Sequence, residues 1–365
     1  MNMISKVVSS IQHVHGMLHE ECIKCKKNIK IIKYLKIPLG KKVYIIGTPE
    51  HSNLGDSAIV ISEKYLLTDC GISSERIKEI TFEEYTNNRK LMRSLINRKH
   101  LICHLGGGNM GNQWIKEENF HRMLIEDFRF NQEMIFPQTI FYDNSLKGRM
   151  EMNNSIPFYN KKNLTIAARE RTSYEIMCSI YPEANIILVP DIVLYAGIQA
   201  FSMSNDSFEK EGVLLCFRDD AEKKISEADQ SYVRDFLIKK GYKFTNTDMH
   251  ANEKVTKLNR NELVKKKIEE FLRSQVVITD RLHGMILSVI TGTPCIVFGN
   301  YNHKIKGTYD FIKKLGYVKY IENIKDFDDI FFKMVNLENC KYDNDFFVSR
   351  YQELSRCVKN WMNNG

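Results

Sequence analysis

Short β-branched and apolar runs alternate along most of this chain with stretches whose apolar residues recur at helical spacing. That alternation limits the possible folds more than any other feature. The series opens with a run from Val43 to Gly47 and a helical pattern from Ser57 to Leu67. It continues through runs at Leu101 to Leu105, Met134 to Phe136, Leu164 to Ala168 and Ile186 to Val189, with helical patterns such as Glu117 to Arg129 between them. A strand, helix, strand rhythm is how a parallel sheet covered on both faces reads in sequence, so the fold class is α/β. After the polar stretch SMSNDSFEKEG a second series begins: Val213 to Phe217, Tyr242 to Phe244, Val276 to Thr279 and Cys295 to Phe298. A chain of 365 residues, at roughly 100 to 200 per domain, has room for two such units. The expected layout is a basic arm over 1–42, a first domain over 43–201, a linker over 202–212 and a second domain over 213–342. In the closing segment, 343–365, Phe347, Tyr351, Leu354, Val358 and Trp361 recur at spacings of four and three, which predicts a helix that packs back on a domain surface.

Composition excludes several classes. Seven Pro and 19 Gly argue against disordered or fibrous chains, and no run approaches the ~18 apolar residues of a membrane span. Nine scattered cysteines and the absence of a signal-like leader predict a cytoplasmic protein with reduced thiols. The net charge of +8 is local: residues 23–49 hold eight lysines and no acidic residue, so the remainder sums to zero. Isoleucines and Leu35 interleave with those lysines. The segment reads either as a basic amphipathic element that rests on the anionic inner face of the plasma membrane, or as a solvated helix face. Stacking aromatics and base-reading modules are absent, so nucleic acid is not an expected partner.

In open parallel sheets, ligands bind beyond the C-terminal ends of the strands, where the next helix presents unpaired amides. The residues that follow each apolar run are therefore the candidates. In VVITDRLHGMILSVI, Arg281 and His283 stand at a helix start with Leu282 and Gly284. A guanidinium there pairs with carboxylate or phosphate, and an imidazole can give or take a proton. Arg218 ends the run GVLLCFRDD in the same way. In the first domain, GTPEHSNLGD offers His51, Asn53 and Asp56, and HLGGGNMG offers Gly106, Gly107, Gly108 and Asn109. Neither loop ends in Gly-Lys-Ser/Thr or keeps GxGxxG spacing, so nucleotide-triphosphate or nicotinamide chemistry is not indicated, and no metal is expected.

The ordered set GTPEHSNLGD, HLGGGN, FPQTI, ARERTSYEIM, VPDIVL, LLCFRDD and TDRLHGMILSVITGTPCIVF resembles the polysaccharide pyruvyl transferases from about residue 43 to about 312. The resemblance implies two Rossmann-like domains with parallel sheets in a GT-B-like arrangement. It also implies phosphoenolpyruvate as co-substrate, with no cofactor, and as acceptor a sugar of a cell-surface glycan or its lipid-linked precursor. On the same basis Arg218, Arg281, Leu282, His283 and Gly284 would hold the donor, with His283 as catalytic acid or base. His51, Asn53, Gly106, Gly107, Gly108 and Asn109 would hold the acceptor. The chemistry also calls for a base on the acceptor hydroxyl, for which Asp56 is one candidate and Asp280, beside Arg281, an equally available carboxylate that otherwise orients the arginine. Two other readings stand beside it: a GT-B nucleotide-sugar glycosyltransferase, for which Glu262 and Glu270 would be the paired acids, and a non-catalytic member of a glycan-assembly complex.

Overall fold

The computed structural model describes residues 24–204, 208–219, 223–299, 302–338 and 340–363. Residues 1–23 of the basic arm, 205–207 of the linker and Asp220 lie outside the described residues. Twelve strands are described: β1 (Val43–Thr48), β2 (Ile77–Thr81), β3 (Leu101–His104), β4 (Gly107–Gly111), β5 (Gln132–Phe141), β6 (Leu164–Ala168), β7 (Asn185–Leu188), β8 (Val213–Cys216), β9 (Phe244–Thr247), β10 (Val276–Thr279), β11 (Cys295–Phe298) and β12 (Val318–Ile321). They form two sheets, ordered β2-β1-β3-β5-β6-β7 with β4 added beside β5, and β12-β11-β10-β8-β9. Every pairing within them is parallel. The central strands are mostly apolar, with an occasional threonine, and buried on both faces, as in LTIAA of β6, VLLC of β8 and VVIT of β10.

Leaving out β4, the first sheet has the doubly wound order 2-1-3-4-5-6 and the second 2-1-3-4-5, in which successive connections reverse direction between the first and third strands. A crevice opens at that reversal, beyond the strand ends. In the first domain it lies between β1 and β3, and in the second between β8 and β10. The Asp56, GGGN, Arg218 and Arg281 segments all follow one of these four strands, so topology alone sends them to the two crevices.

The domains share one buried apolar core. The helix Leu54–Asp69 of the first and the helices Arg260–Leu272 and Leu282–Ile290 of the second contribute Leu54, Ile61, Val264, Ile268, Met285 and Ile286 to it. Polar links fasten its edge: Leu54 N–H donates to the Met249 carbonyl at 2.7 Å and Ala251 N–H to that of Ser52 at 2.8 Å. Arg260, buried, bridges the Glu79 carboxylate and the Pro49 carbonyl at 2.5 and 2.6 Å.

The structure corrects several boundaries. β2, whose sequence IKEIT carries two charges, was not expected as a strand, nor were β4 and β12, and β9 begins at Phe244 rather than Tyr242. The terminal helix Gln352–Asn363 returns to the first domain and buries Leu354 and Val358 beside Tyr351, whose hydroxyl donates to the Asp191 carbonyl at 2.5 Å. Among the described residues, no helix is long and apolar enough to cross a membrane. Because Leu354 is fully enclosed, Leu354→Ala should lower unfolding free energy by about 2–5 kcal/mol in denaturant titration.

Candidate active site

The two crevices face each other and merge into a cavity of about 380 Å³. From the first domain, β1 runs into a loop that ends at Asn53, whose side chain caps the helix Leu54–Asp69 by accepting from Gly55 N–H at 2.9 Å. His51, Asn53 and Asp56 line the cavity, with His51 Nε2 3.6 Å from the Asp56 carboxylate. From the second domain come Arg218, Arg281, Leu282 and His283.

The strand ends are tied together before they present these groups. Thr279 Oγ1 donates to the Cys216 carbonyl at 2.7 Å and accepts from Arg281 N–H at 2.9 Å, joining β8 to β10. The Asp280 carboxylate accepts from Arg218 N–H at 2.8 Å. Its side chain is wholly buried, and desolvation pushes its proton affinity up to about 6 against the pull of that N–H and of the Arg218 and Arg281 charges. Asp280 is thus a brace for Arg218. Arg281 pairs with Asp248 at 2.6 Å while it lines the cavity.

His283 occupies the first turn of the helix Leu282–Ile290, and its ring lies against Gly55 of the opposite domain. A Cβ at Gly55 would stand 2.4 Å from His283 Nδ1, so only glycine permits the two helix starts to meet. On the other edge of the ring, Nε2 makes no hydrogen bond among the described residues, and the Asp191 carboxylate stands 3.7 Å away. Burial lowers the imidazole's proton affinity. Asp191 and Asp56 oppose that effect, while Arg169 and Lys304 add to it. Burial thus favours the neutral form of His283.

Three further residues complete the constellation, and none was singled out from the sequence. Arg169, 1% exposed, follows β6; its Nε donates to Thr139 Oγ1 at 2.7 Å and its Nη1 to Asp191 at 3.0 Å. Asp191, 1% exposed, therefore stands between Arg169 and His283 and orients both. Lys304 opens the helix Lys304–Ile312 and lines the same cavity. The rule that located Arg218, a cation directly after an apolar run, also marks Arg169 after LTIAA. Lys304 had no such local signal.

Not every expected residue reaches the cavity. Gly108 and Asn109 line it, but Gly106 and Gly107 are buried in the turn behind, where Gly106 N–H donates to the buried Glu63 carboxylate at 2.7 Å. Gly108 lies so close to Arg169 that a Cβ would stand 2.7 Å from its Nη2. Gly284 likewise packs on Thr279 and does not line the cavity. Glu262 and Glu270 pair instead with Lys266 and Lys267 on the helix Arg260–Leu272, outside the cavity.

The arrangement thus places three arginines and a lysine around one partly desolvated imidazole, with two helix starts directed at the same space. Such a site suits a small ligand bearing more than one negative charge, and a proton transfer within it.

The sequence profile of the family described as Polysaccharide pyruvyl transferase matches residues 53–303, which span both halves of the cleft. General stress protein 30 of Bacillus subtilis is 30% identical over 285 residues, covering 77% of this chain and 81% of that protein. Pyruvyl transferase 1 of Schizosaccharomyces pombe is 29% identical over 300 residues, or 77% of this chain and 72% of that one. Among solved structures, the co-structure of S. aureus MnaA with UDP superposes with a TM-score of 0.53 at 11% identity, covering 89% of this chain and 97% of that chain. That last likeness is one of fold, and it supports the GT-B-like arrangement.

The brace at Asp280 has a measurable signature. Its carboxyl holds a proton up to about pH 6 in the fold against 3.8 ordinarily, so the folded state binds more protons across that window and loses stability as pH rises through it. Asp280→Asn keeps an oxygen for the Arg218 N–H without burying a charge. Its midpoint of thermal unfolding should depend less steeply on pH between about 4 and 6 than that of the parent.

Proposed function

The chain belongs to the polysaccharide pyruvyl transferase family, and from that premise we propose that it moves the pyruvate unit of phosphoenolpyruvate onto two hydroxyls of a glycan sugar as a cyclic ketal, releasing phosphate. The observation that carries this reading is the convergence of Arg169, Arg218, Arg281 and Lys304 on the cavity that holds His283. Phosphoenolpyruvate bears a carboxylate and a phosphate on three carbons, so a compact cluster of cations is what its recognition requires. Two of those cations are held by buried or half-buried carboxylates, which fixes their heads without filling the cavity.

In this reaction His283 serves as the acid. Donor binding brings negative charge against the imidazole and raises the proton affinity that burial has lowered, so the ring becomes charged as the substrate arrives. Its proton passes to the methylene carbon of the donor, which becomes the methyl group, and the adjacent carbon takes on oxocarbenium character. One sugar hydroxyl adds there and gives its proton to Asp56. A second hydroxyl adds to the same carbon as the carbon–oxygen bond to phosphate breaks, with the cations stabilising the charge on the leaving group. One hydroxyl proton is balanced by the new methyl hydrogen, and the other leaves with phosphate. His51, Asn53, Gly108 and Asn109 form the acceptor side.

Calorimetric titration with phosphoenolpyruvate tests the assignment. Parent protein should bind it, and Arg281→Ala should weaken binding by about tenfold or more; binding of UDP with none of phosphoenolpyruvate would favour glycosyl transfer instead. His283→Ala should lower kcat by about 10²- to 10⁴-fold and change donor affinity far less. Gly55→Ala, by displacing the ring, should cost about 100-fold in kcat with the fold intact by circular dichroism. In pH profiles, the alkaline limb of kcat/KM should lie below the ordinary imidazole value, since it reports the buried ring of the free enzyme. The limb in kcat should lie higher, since donor charge is then present.

A further inference from the structure

The outward face of the helix over residues 24–36 has the composition of a bilayer-docking surface, and we propose that it seats the protein on an anionic leaflet with the cleft rim towards the headgroups. The helix holds to the first domain by a narrow seam. Leu35 is buried and Ile31 half-buried against Tyr44, Ile46 and Ile80, the Tyr44 hydroxyl donates to the Leu35 carbonyl at 2.9 Å, and Tyr34 and Glu79 exchange two hydrogen bonds of 2.8 and 3.0 Å. Most of its other residues are exposed.

Two of the eight lysines are taken up by the fold. Lys41 donates to the carbonyls of Trp361 and Met362, and Lys42 is buried. The other six, Lys24, Lys26, Lys27, Lys30, Lys33 and Lys36, are exposed. At 100° per residue, Lys26, Lys30 and Lys33 form one stripe, and Cys25, Ile29 and Ile32 form the stripe beside it. Ile37 and Leu39 follow just beyond the helix. Ile29, Ile37 and Leu39 are 57%, 55% and 82% exposed, and Ile32 is 38% exposed. The helix therefore has two apolar faces, one spent on the domain and one bordered by lysines. A face built only for solvation has no use for four large aliphatic side chains within eleven residues. An anionic interface accommodates both stripes, taking the aliphatic tips at the acyl boundary and the ammonium groups among the headgroups.

The charge balance commits the surface to a negative partner, since residues outside 23–49 sum to zero. On the side facing the domain, Lys27 and Lys30 line a cavity of about 320 Å³ with Glu50, Glu83 and Glu84. That cavity also orients the molecule. Glu50 directly precedes His51 and Ser52 of the cleft wall, so the docked helix would bring the cleft rim to the headgroup layer. There it could meet an acceptor sugar carried on a lipid diphosphate. This consequence rests on the proposed reaction, whereas the docking does not.

Sedimentation of the full chain with vesicles tests the surface directly. The protein should partition onto 1:1 phosphatidylglycerol–phosphatidylcholine vesicles and not onto phosphatidylcholine alone, and partitioning should fall steeply between low and physiological salt. At about fivefold per lysine, K24Q/K26Q/K33Q/K36Q should lose about 10²- to 10³-fold in partitioning. A second variant, I29S/L39S, keeps every lysine and should lose about tenfold while its salt dependence persists. Matched thermal unfolding of both variants with the parent verifies the fold. Equal binding to neutral vesicles, binding unchanged in the lysine variant, or a preference for double-stranded DNA over anionic vesicles would overturn the proposal. If vesicles bind and phosphoenolpyruvate does not, the docking surface stands and the reaction falls; the converse result separates them the other way.

Discussion

The site depends on one close approach between the two domains: the ring of His283 against Gly55. Each stands in the first turn of a helix that follows a strand at its sheet's crevice, so the contact brings two helix starts to one space. Any side chain at Gly55 would hold the starts apart. The shared apolar core beneath, built from the flanks of the same helices, resists their separation. Packing and chemistry are set by one contact.

Bringing arginines, a lysine and two positive helix ends together is unfavourable unless negative groups stand close by. The fold meets this with carboxylates placed behind the cations. Asp191 stands behind Arg169 and His283, Asp248 beside Arg281, and Asp280 beneath the Arg218 backbone. A layer further back, Glu170 caps its helix, accepts from Thr139 and pairs with His303 at 3.2 Å. Held this way, the cations are preorganised for a charged ligand, which is what the proposed reaction would require of them.

The sheets were legible where burial on both faces forces a continuous apolar run, as in β6, β8, β10 and β11. β2 was not, because IKEIT carries Lys78 and Glu79, and the partners that make Glu79 tolerable there, Lys64 and Arg260, stand 15 and 181 residues away. The site shows the same division. Arg218, Arg281 and His283 could be located because each lies within four residues of the end of an apolar run, and the crevice rule needs nothing more. Asp191 was hidden because its role arises only when β6, the segment after β7 and a helix of the other domain meet. The triple glycine looked like one ligand-facing loop, yet its first two members serve the turn and a buried glutamate; local sequence does not distinguish a glycine that admits a ligand from one that admits its own chain.

The most direct test of the central claim is the product itself. Purified protein would be incubated with phosphoenolpyruvate and a panel of lipid-linked and nucleotide-linked sugars, followed by mass spectrometry of the sugars and assay of free phosphate. The account predicts an acceptor heavier by a pyruvate less one water, with phosphate released in equal amount. A glycosylated product formed from a nucleotide sugar, with phosphoenolpyruvate left intact, would contradict it.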